Sequence, residues 1–169
     1  LNANQHIVSE TNNIFDAFTR AMVTKASYNT AFGTIVFEPA FYKNGKLALI
    51  KVIKPVITKL FNKQEPSILY YRDVHISKGQ IMANGVFLSP GKLLENLSQS
   101  LARDIKASAL VRCVQLGYIP FMMLHDELGF VLPENTVSEA IPKIQEAMEG
   151  ASFFEGDFPV EIEVHSRYC

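Results

Sequence analysis

"SPGKLLENLSQSLARDIKASALVRCVQLGY", residues 89–118, runs directly into "IPFMMLHDELGFVLPEN", residues 119–135. The first segment reads as a long amphipathic helix. Leu93, Leu97, Leu101, Ile105 and Ala109 recur every four residues, close to the helical period, and make one apolar stripe. Gly91 before it and Gly117 after it punctuate its ends. The second segment reads as two apolar strands around a tight turn that carries His125, Asp126 and Glu127. A long helix that hands over to a hairpin points to an α+β fold.

The flanking sequence agrees. "VSETNNIFDAFTRAMVTKA" (8–26) is an amphipathic helix with Ile14, Phe15, Phe18 and Met22 on one face, and Ser9 or Thr11 as its cap. Asn44-Gly45 predicts a hairpin within residues 32–53. "KPVITKLFNK" (54–63) reads as a short basic helical turn begun by Pro55. "SILYYRDVHI" (67–76) reads as a strand, and "QIMANGVFL" (80–88) carries a further turn at Asn84-Gly85. "TVSEAIPKIQEAMEG" (136–150) is a helix for which Thr136 and Glu139 offer a capping box, and Pro142 fits it poorly unless it lies in or near the first turn. "DFPVEIEVHSRY" (157–168) closes the chain as a strand, in which Val160, Ile162 and Val164 alternate with Glu161, Glu163 and His165. The expected architecture is therefore an antiparallel sheet with helices packed on one face.

Composition sets the limits. The chain has 169 residues, of which 48% are apolar and 20% charged, too apolar for disorder and suited to one compact domain or a subdomain. It has no apolar run of membrane-spanning length, and its first residues lack the basic start and apolar core of a signal peptide. Cys113 and Cys169 show no metal-ligand spacing, so a reducing, cytoplasmic setting is expected. Leu1 in place of Met suggests a fragment, a processed product or a trimmed chain. Residues 1–80 carry ten Lys/Arg and five Asp/Glu; residues 81–169 carry six and twelve. This asymmetry fits a basic surface for a polyanion beside an acidic one for cations, and also fits plain solvated faces.

A carboxylate at the tip of a rigid hairpin suits an oxygen-ligated divalent cation such as magnesium. Asp126 and Glu127 are neighbours, so in a regular strand they point to opposite faces. A two-ion site for phosphoryl transfer needs carboxylates from separate elements, and one hairpin supplies one side of it. The bland alternative is a polar loop tip. Zinc is disfavoured, because His125 has no second ligand at suitable spacing. A serine triad is unsupported, since Ser98 and Ser100 lie on a helix without a nucleophile elbow. Asn96, Gln99 and Arg103, at i, i+3 and i+7, share one helical face with Lys106 on its flank. Amides there suit base edges in a minor groove, and cations suit phosphate; the alternative is an ordinary solvated helix face.

These two motifs together resemble the C-terminal palm of family A DNA polymerases, the bacterial DNA polymerase I type, and are most similar to bacteriophage members. The family pattern Glu-Asn-x-x-Gln-Ala-x-Ala-Arg-Asp is matched by "ENLSQSLARD", and its motif C "HDE" by "LHDEL". "SILYYRDVHI" and "DFPVEIEVHSRY" resemble the strands before and after; "NNIFDAFTRA" resembles the helix after the fingers, with Phe15 where Trp is common. The likeness is specific over residues 67–169, the palm, and faint over 1–66, a post-fingers helix plus hairpin region. It implies that Asp126 is a metal ligand, Glu127 the adjacent acid near the metals or primer end, and His125 a contact to the primer terminus. It places Asn96, Gln99 and Arg103 against the duplex and makes Lys92 a further phosphate contact.

Motif A, with the first catalytic aspartate, and motif B, the nucleotide-binding fingers helix, have no counterpart. The resemblance thus implies the final third of a DNA-directed DNA polymerase, a fragment or a small subunit, inactive alone. Completed by the part that carries motifs A and B, it would act with two magnesium ions, primer-template DNA and a deoxynucleoside triphosphate, in the cytoplasm of a bacterium or phage-infected host. Self-association through exposed apolar surface is also expected. Two alternatives stay open. One is a non-catalytic DNA-binding or subunit-docking module derived from a polymerase. The other is a metal phosphoesterase that pairs Asp126 with Asp73.

Overall fold

The structure, a computed structural model, describes residues 3–30, 35–54, 66–125, 127–150 and 159–166, with only the backbone for 3–8 and 10. Among the described residues it is α+β, with three α-helices and antiparallel sheets. Two compact units divide the chain: Leu1–Pro55 with Pro66–Leu101, and Val56–Glu65 with Ala102–Cys169.

In the first unit, α1 spans Ala3–Thr24. Neither Ser9 nor Thr11 caps it, because residues 3–8 hold no glycine or proline to stop the helix running on toward the N-terminus. Lys25 ends it in a left-handed conformation, φ 59°. A four-stranded sheet follows, in the order β1 (Tyr28–Asn29), β2 (Val36–Phe41), β3 (Leu47–Ile53), β4 (Ile68–Arg72). The Asn44-Gly45 hairpin forms between β2 and β3, through a turn closed by Gly45 N–H on the Tyr42 carbonyl at 2.9 Å. Beyond the short β1, Pro39 lies where β2 pairs only with β3, so its missing N–H need not break a ladder.

Register decides the two faces of this sheet. Phe37 pairs with Val52 and Val52 with Leu69; Pro39 pairs with Ile50 and Ile50 with Tyr71. This face buries Phe37, Ile50, Val52 and Tyr71 against Phe18 and Ala21 of α1 and against Leu93 and Leu97. Phe18 meets Phe37 and Tyr71 edge-on, with ring centroids 5.5 and 5.4 Å apart, the arrangement aromatic quadrupoles favour. The other face carries Glu38, Lys51, Tyr70 and Arg72. At the end of β3, the buried Lys54 ammonium is held by the Ser100 hydroxyl and by the Ser100 carbonyl at 3.3 Å.

The strand expected over 67–76 breaks in two. Asp73 takes φ 52°, its N–H bonds the Ala48 carbonyl at 3.2 Å, and the chain leaves β4 for another sheet. That sheet is a meander of β5 (His75–Ser77), β6 (Gln80–Ala83) and β7 (Val86–Phe87). Its two-residue turns, Lys78-Gly79 and Asn84-Gly85, are left-handed at all four positions, as tight hairpins require.

The long helix α2 spans Pro90–Gln115 and contributes to both units. Ser89, not Gly91, begins it: the Ser89 hydroxyl accepts Lys92 N–H at 3.2 Å, Pro90 takes the first helical position, and Gly91 lies inside the first turn. Gly117, φ 89°, ends it as expected. Tyr118 N–H reaches the Cys113 carbonyl at 2.9 Å and Gly117 N–H reaches Val114 at 3.0 Å, a Schellman closure.

The second unit contains the hairpin β8 (Met122–Leu124) and β9 (Glu127–Gly129), a 3₁₀ turn at Glu134–Thr136, and α3 (Val137–Glu149). Cys113, Ala140, Ile144 and Ala147 form its core with Tyr118, Phe130, Leu132 and Met148. No capping box forms. Thr136 turns its hydroxyl back to the Pro133 carbonyl at 2.8 Å, and Glu139 pairs instead with Lys143 at 2.6 Å. Pro142 sits beyond the first turn. The carbonyl it leaves without a helical partner belongs to the exposed Ser138, where water can serve it. Arg112 Nε donates to the Ala147 carbonyl at 2.9 Å, and its guanidinium fills the space beside Gly150 that a Cβ would need.

The closing strand is not formed over residues 159–166. Val160 and Ile162 are half-buried between exposed Glu161 and Glu163, but Val164 is exposed like its neighbours, so the expected alternation stops at Ile162, and the backbone has no ladder there. Residues 157–158 and 167–168 lie outside the described residues, as does the basic turn from Pro55 onward.

Candidate nucleic-acid interface

On α2, Lys92, Asn96, Gln99, Arg103 and Lys106 fall within an arc of about 80° at helical pitch. They do different things. Lys92 pairs with Glu95 at 2.9 Å, and Gln99 donates to the other Glu95 oxygen at 3.2 Å. Glu95 thus ties two of the polar side chains together at an exposed surface, where such pairs contribute little stability. Asn96 is half-buried and donates to the Tyr71 hydroxyl at 3.1 Å. Its amide nitrogen serves the core boundary, which leaves its carbonyl oxygen as the group for any base edge. Burial pushes the Tyr71 phenol up from the ordinary tyrosine value, and the Asn96 bond partly opposes this. Arg103 is exposed, in the second unit.

The hairpin is built tightly. Leu124 pairs with Glu127, so two residues make the connection, His125 and Asp126. His125 is exposed with φ 37°, a left-handed conformation that costs a non-glycine residue about 1 kcal/mol. Lys106 holds it there: its ammonium donates to the His125 carbonyl. Glu127 is exposed at the start of β9. Gly129 allows close packing, since a Cβ there would meet the Phe121 ring at 3.0 Å and Met122 at 3.2 Å. Around the turn, Ile119, Phe121, Met123, Leu124 and Val131 are exposed apolar residues, Val131 to 75%.

Asp126 lies outside the described residues. Among the described residues no group of three or more His, Cys, Asp or Glu could hold a metal ion. Glu127 is the described acid of the hairpin, and the sequence places one further carboxylate beside it; that donor set amounts to one side of a two-ion site. Asp73, the partner required by a phosphoesterase, belongs to the first unit at the β4–β5 break.

The polar stripe and the hairpin were both visible in the sequence. The roles of Glu95 and Tyr71 were not. Tyr71 reads as a strand residue 25 positions from Asn96, and only the packed sheet brings the two together. Among the described residues no helix is long and apolar enough to cross a membrane. Comparison with family models, with curated proteins and with solved structures finds no match to this chain.

Proposed function

We propose that this chain is the motif C part of a family A DNA polymerase palm, acting with a part that carries motifs A and B. One observation supports the reading above the rest. Lys106, on the same stripe of α2 as Arg103, donates to the carbonyl of the left-handed His125, the first residue of the "HDE" motif. That bond ties the Arg103–Lys106 stretch of the helix to the start of the motif, as the reading needs.

In this reading Gln99 and Arg103 lie along the primer-template duplex, Arg103 on phosphate and Gln99 on a base edge. Lys92 adds a phosphate contact once Glu95 releases it, and Asn96 offers its carbonyl oxygen. His125 steadies the primer end. Asp126, with Glu127 beside it, would hold magnesium, whose chemistry is to lower the primer hydroxyl's pKa and neutralise the leaving pyrophosphate. The primer 3′ oxygen bonds the α-phosphorus, and the bond to pyrophosphate breaks. The exposed Phe121, Met123 and Leu124 are the surface on which the missing part docks.

The test mixes the purified chain with a polypeptide that carries motifs A and B and follows primer extension with magnesium. We expect no extension by the chain alone, extension by the mixture, and loss with Asp126→Ala. Extension by the chain alone would overturn the split reading. DNA binding without synthesis in the mixture, unchanged by Asp126→Asn, would support a non-catalytic docking module instead, a reading that the same exposed apolar residues favour.

A further inference from the structure

The face of the four-stranded sheet turned away from α1 has a chemistry that α2 does not share. Register places Glu38, Lys51 and Tyr70 side by side across β2, β3 and β4, and sets Arg72 beside Leu49 in a neighbouring row. Tyr70 is 43% exposed. Arg72 is exposed, with its guanidinium carbon 6.0 Å from the Tyr70 ring centroid. Lys51 holds Glu38 at 2.7 Å, so the one acid of this row is already neutralised. Lys43 and Lys46, both exposed, sit in the loop that joins β2 to β3. The whole first unit has nine Lys/Arg against five Asp/Glu, whereas the second has seven against twelve.

An exposed ring flanked by cations on a broad sheet is the arrangement that holds unpaired bases. Each base offers a π-face to the ring, and the phosphates on either side meet the cations. A duplex cannot use it in this way, because its base faces are already stacked on one another. We propose that this sheet face binds single-stranded nucleic acid, one base stacking on Tyr70 while Arg72 takes the adjoining phosphate. The site goes beyond the polymerase reading and does not depend on Asp126, Gln99 or Arg103.

The sequence contains no tryptophan, which makes the test direct. Tyr70→Trp places a single indole at the proposed stacking position. On titration with a twelve-residue oligothymidylate its emission is expected to be strongly quenched. By fluorescence anisotropy with the same labelled oligonucleotide, Tyr70→Ala is expected to weaken binding about tenfold or more. Arg72→Ala should weaken it and lower the slope of log affinity against log salt by about 0.7. An unlabelled duplex of equal length should compete poorly. Oligonucleotide binding that leaves the indole emission of the Tyr70→Trp variant unquenched, or an absence of binding by the parent chain at low salt, would overturn the proposal. Unfolding midpoints of the variants, expected to match the parent because the side chains are exposed, control for folding.

Discussion

Removing the Asn96 amide tests whether α2 is fastened to the sheet by the bond described above. Tyr71 is only 2% exposed, its ring edge-on to Phe18, and its hydroxyl takes a hydrogen bond from Asn96 at 3.1 Å. Asn96→Ala withdraws that donor from a buried oxygen. Such a loss costs about 1–3 kcal/mol, and because Asn96 is itself half-exposed, water reaches the gap and the expected cost is about 1 kcal/mol. Tyr71→Phe keeps the ring contacts, removes the hydroxyl and leaves the Asn96 amide facing water, for about 0.5–1.5 kcal/mol. If each change acts through the same bond, the double variant costs little more than either single one, a coupling of about 1 kcal/mol. Urea unfolding followed by circular dichroism measures all four proteins, and 1 kcal/mol corresponds to about 2–4 °C in Tm at this chain length. Additivity within about 0.3 kcal/mol would refute the reasoning, since independent sites add. The stability effect must also appear without DNA, so it is separable from any contact of Asn96 with a duplex.

Further outcomes follow from the turn, the buried phenol and the helix ends. His125→Gly removes the left-handed strain and should stabilise the chain by about 1 kcal/mol, while Lys106→Met should speed hydrogen exchange of the hairpin amides; both are read by exchange at residues 122–129. Tyr71, its pKa raised by burial, should ionise above the ordinary tyrosine value in a titration at 295 nm, a phase that Tyr71→Phe removes. The stability it lends is complete below the ordinary tyrosine value and is lost as pH rises through the raised one, so Tyr71→Phe should flatten the alkaline fall. The hydrogen bond and charge of Lys143 hold the Glu139 carboxyl below the usual glutamate range. That contribution is present above the ordinary value and lost as pH falls through the lowered one; an NMR titration should show the low midpoint, and Lys143→Met should restore it. Ser89→Ala should lower stability by about 1 kcal/mol by uncapping α2, visible as a lower urea midpoint without a change in slope.

Where periodicity and turn chemistry were local, the fold was legible. Leu93 and Leu97 are buried as the stripe required, and Asn84-Gly85 turns as that dipeptide demands. Where distant groups decide, it was not. Asp73 breaks its strand with its N–H on Ala48, 25 residues earlier, which no propensity at "YYRDVH" announces. Thr136 and Glu139 have the spacing of a capping box, yet Pro133 and Lys143 offer closer partners. Val160 and Ile162 alternate like a strand, but alternation supplies only a face; a ladder needs a neighbour. At the candidate site the residue types were readable from the sequence, whereas the commitment of Asn96 to Tyr71 arises from tertiary packing alone.

Gly150 closes α3 with ordinary negative φ, so conformation does not demand glycine there; a Cβ would instead displace the Arg112 guanidinium, the far end of a flexible side chain. In a saturation library, position 150 should therefore accept alanine or serine, and most readily in clones that have also shortened the side chain at position 112. Those two codons should drift as a pair while their neighbours vary independently. Such a linked pair would let survival statistics alone show that α3 is docked on α2, before any coordinates of a variant are determined.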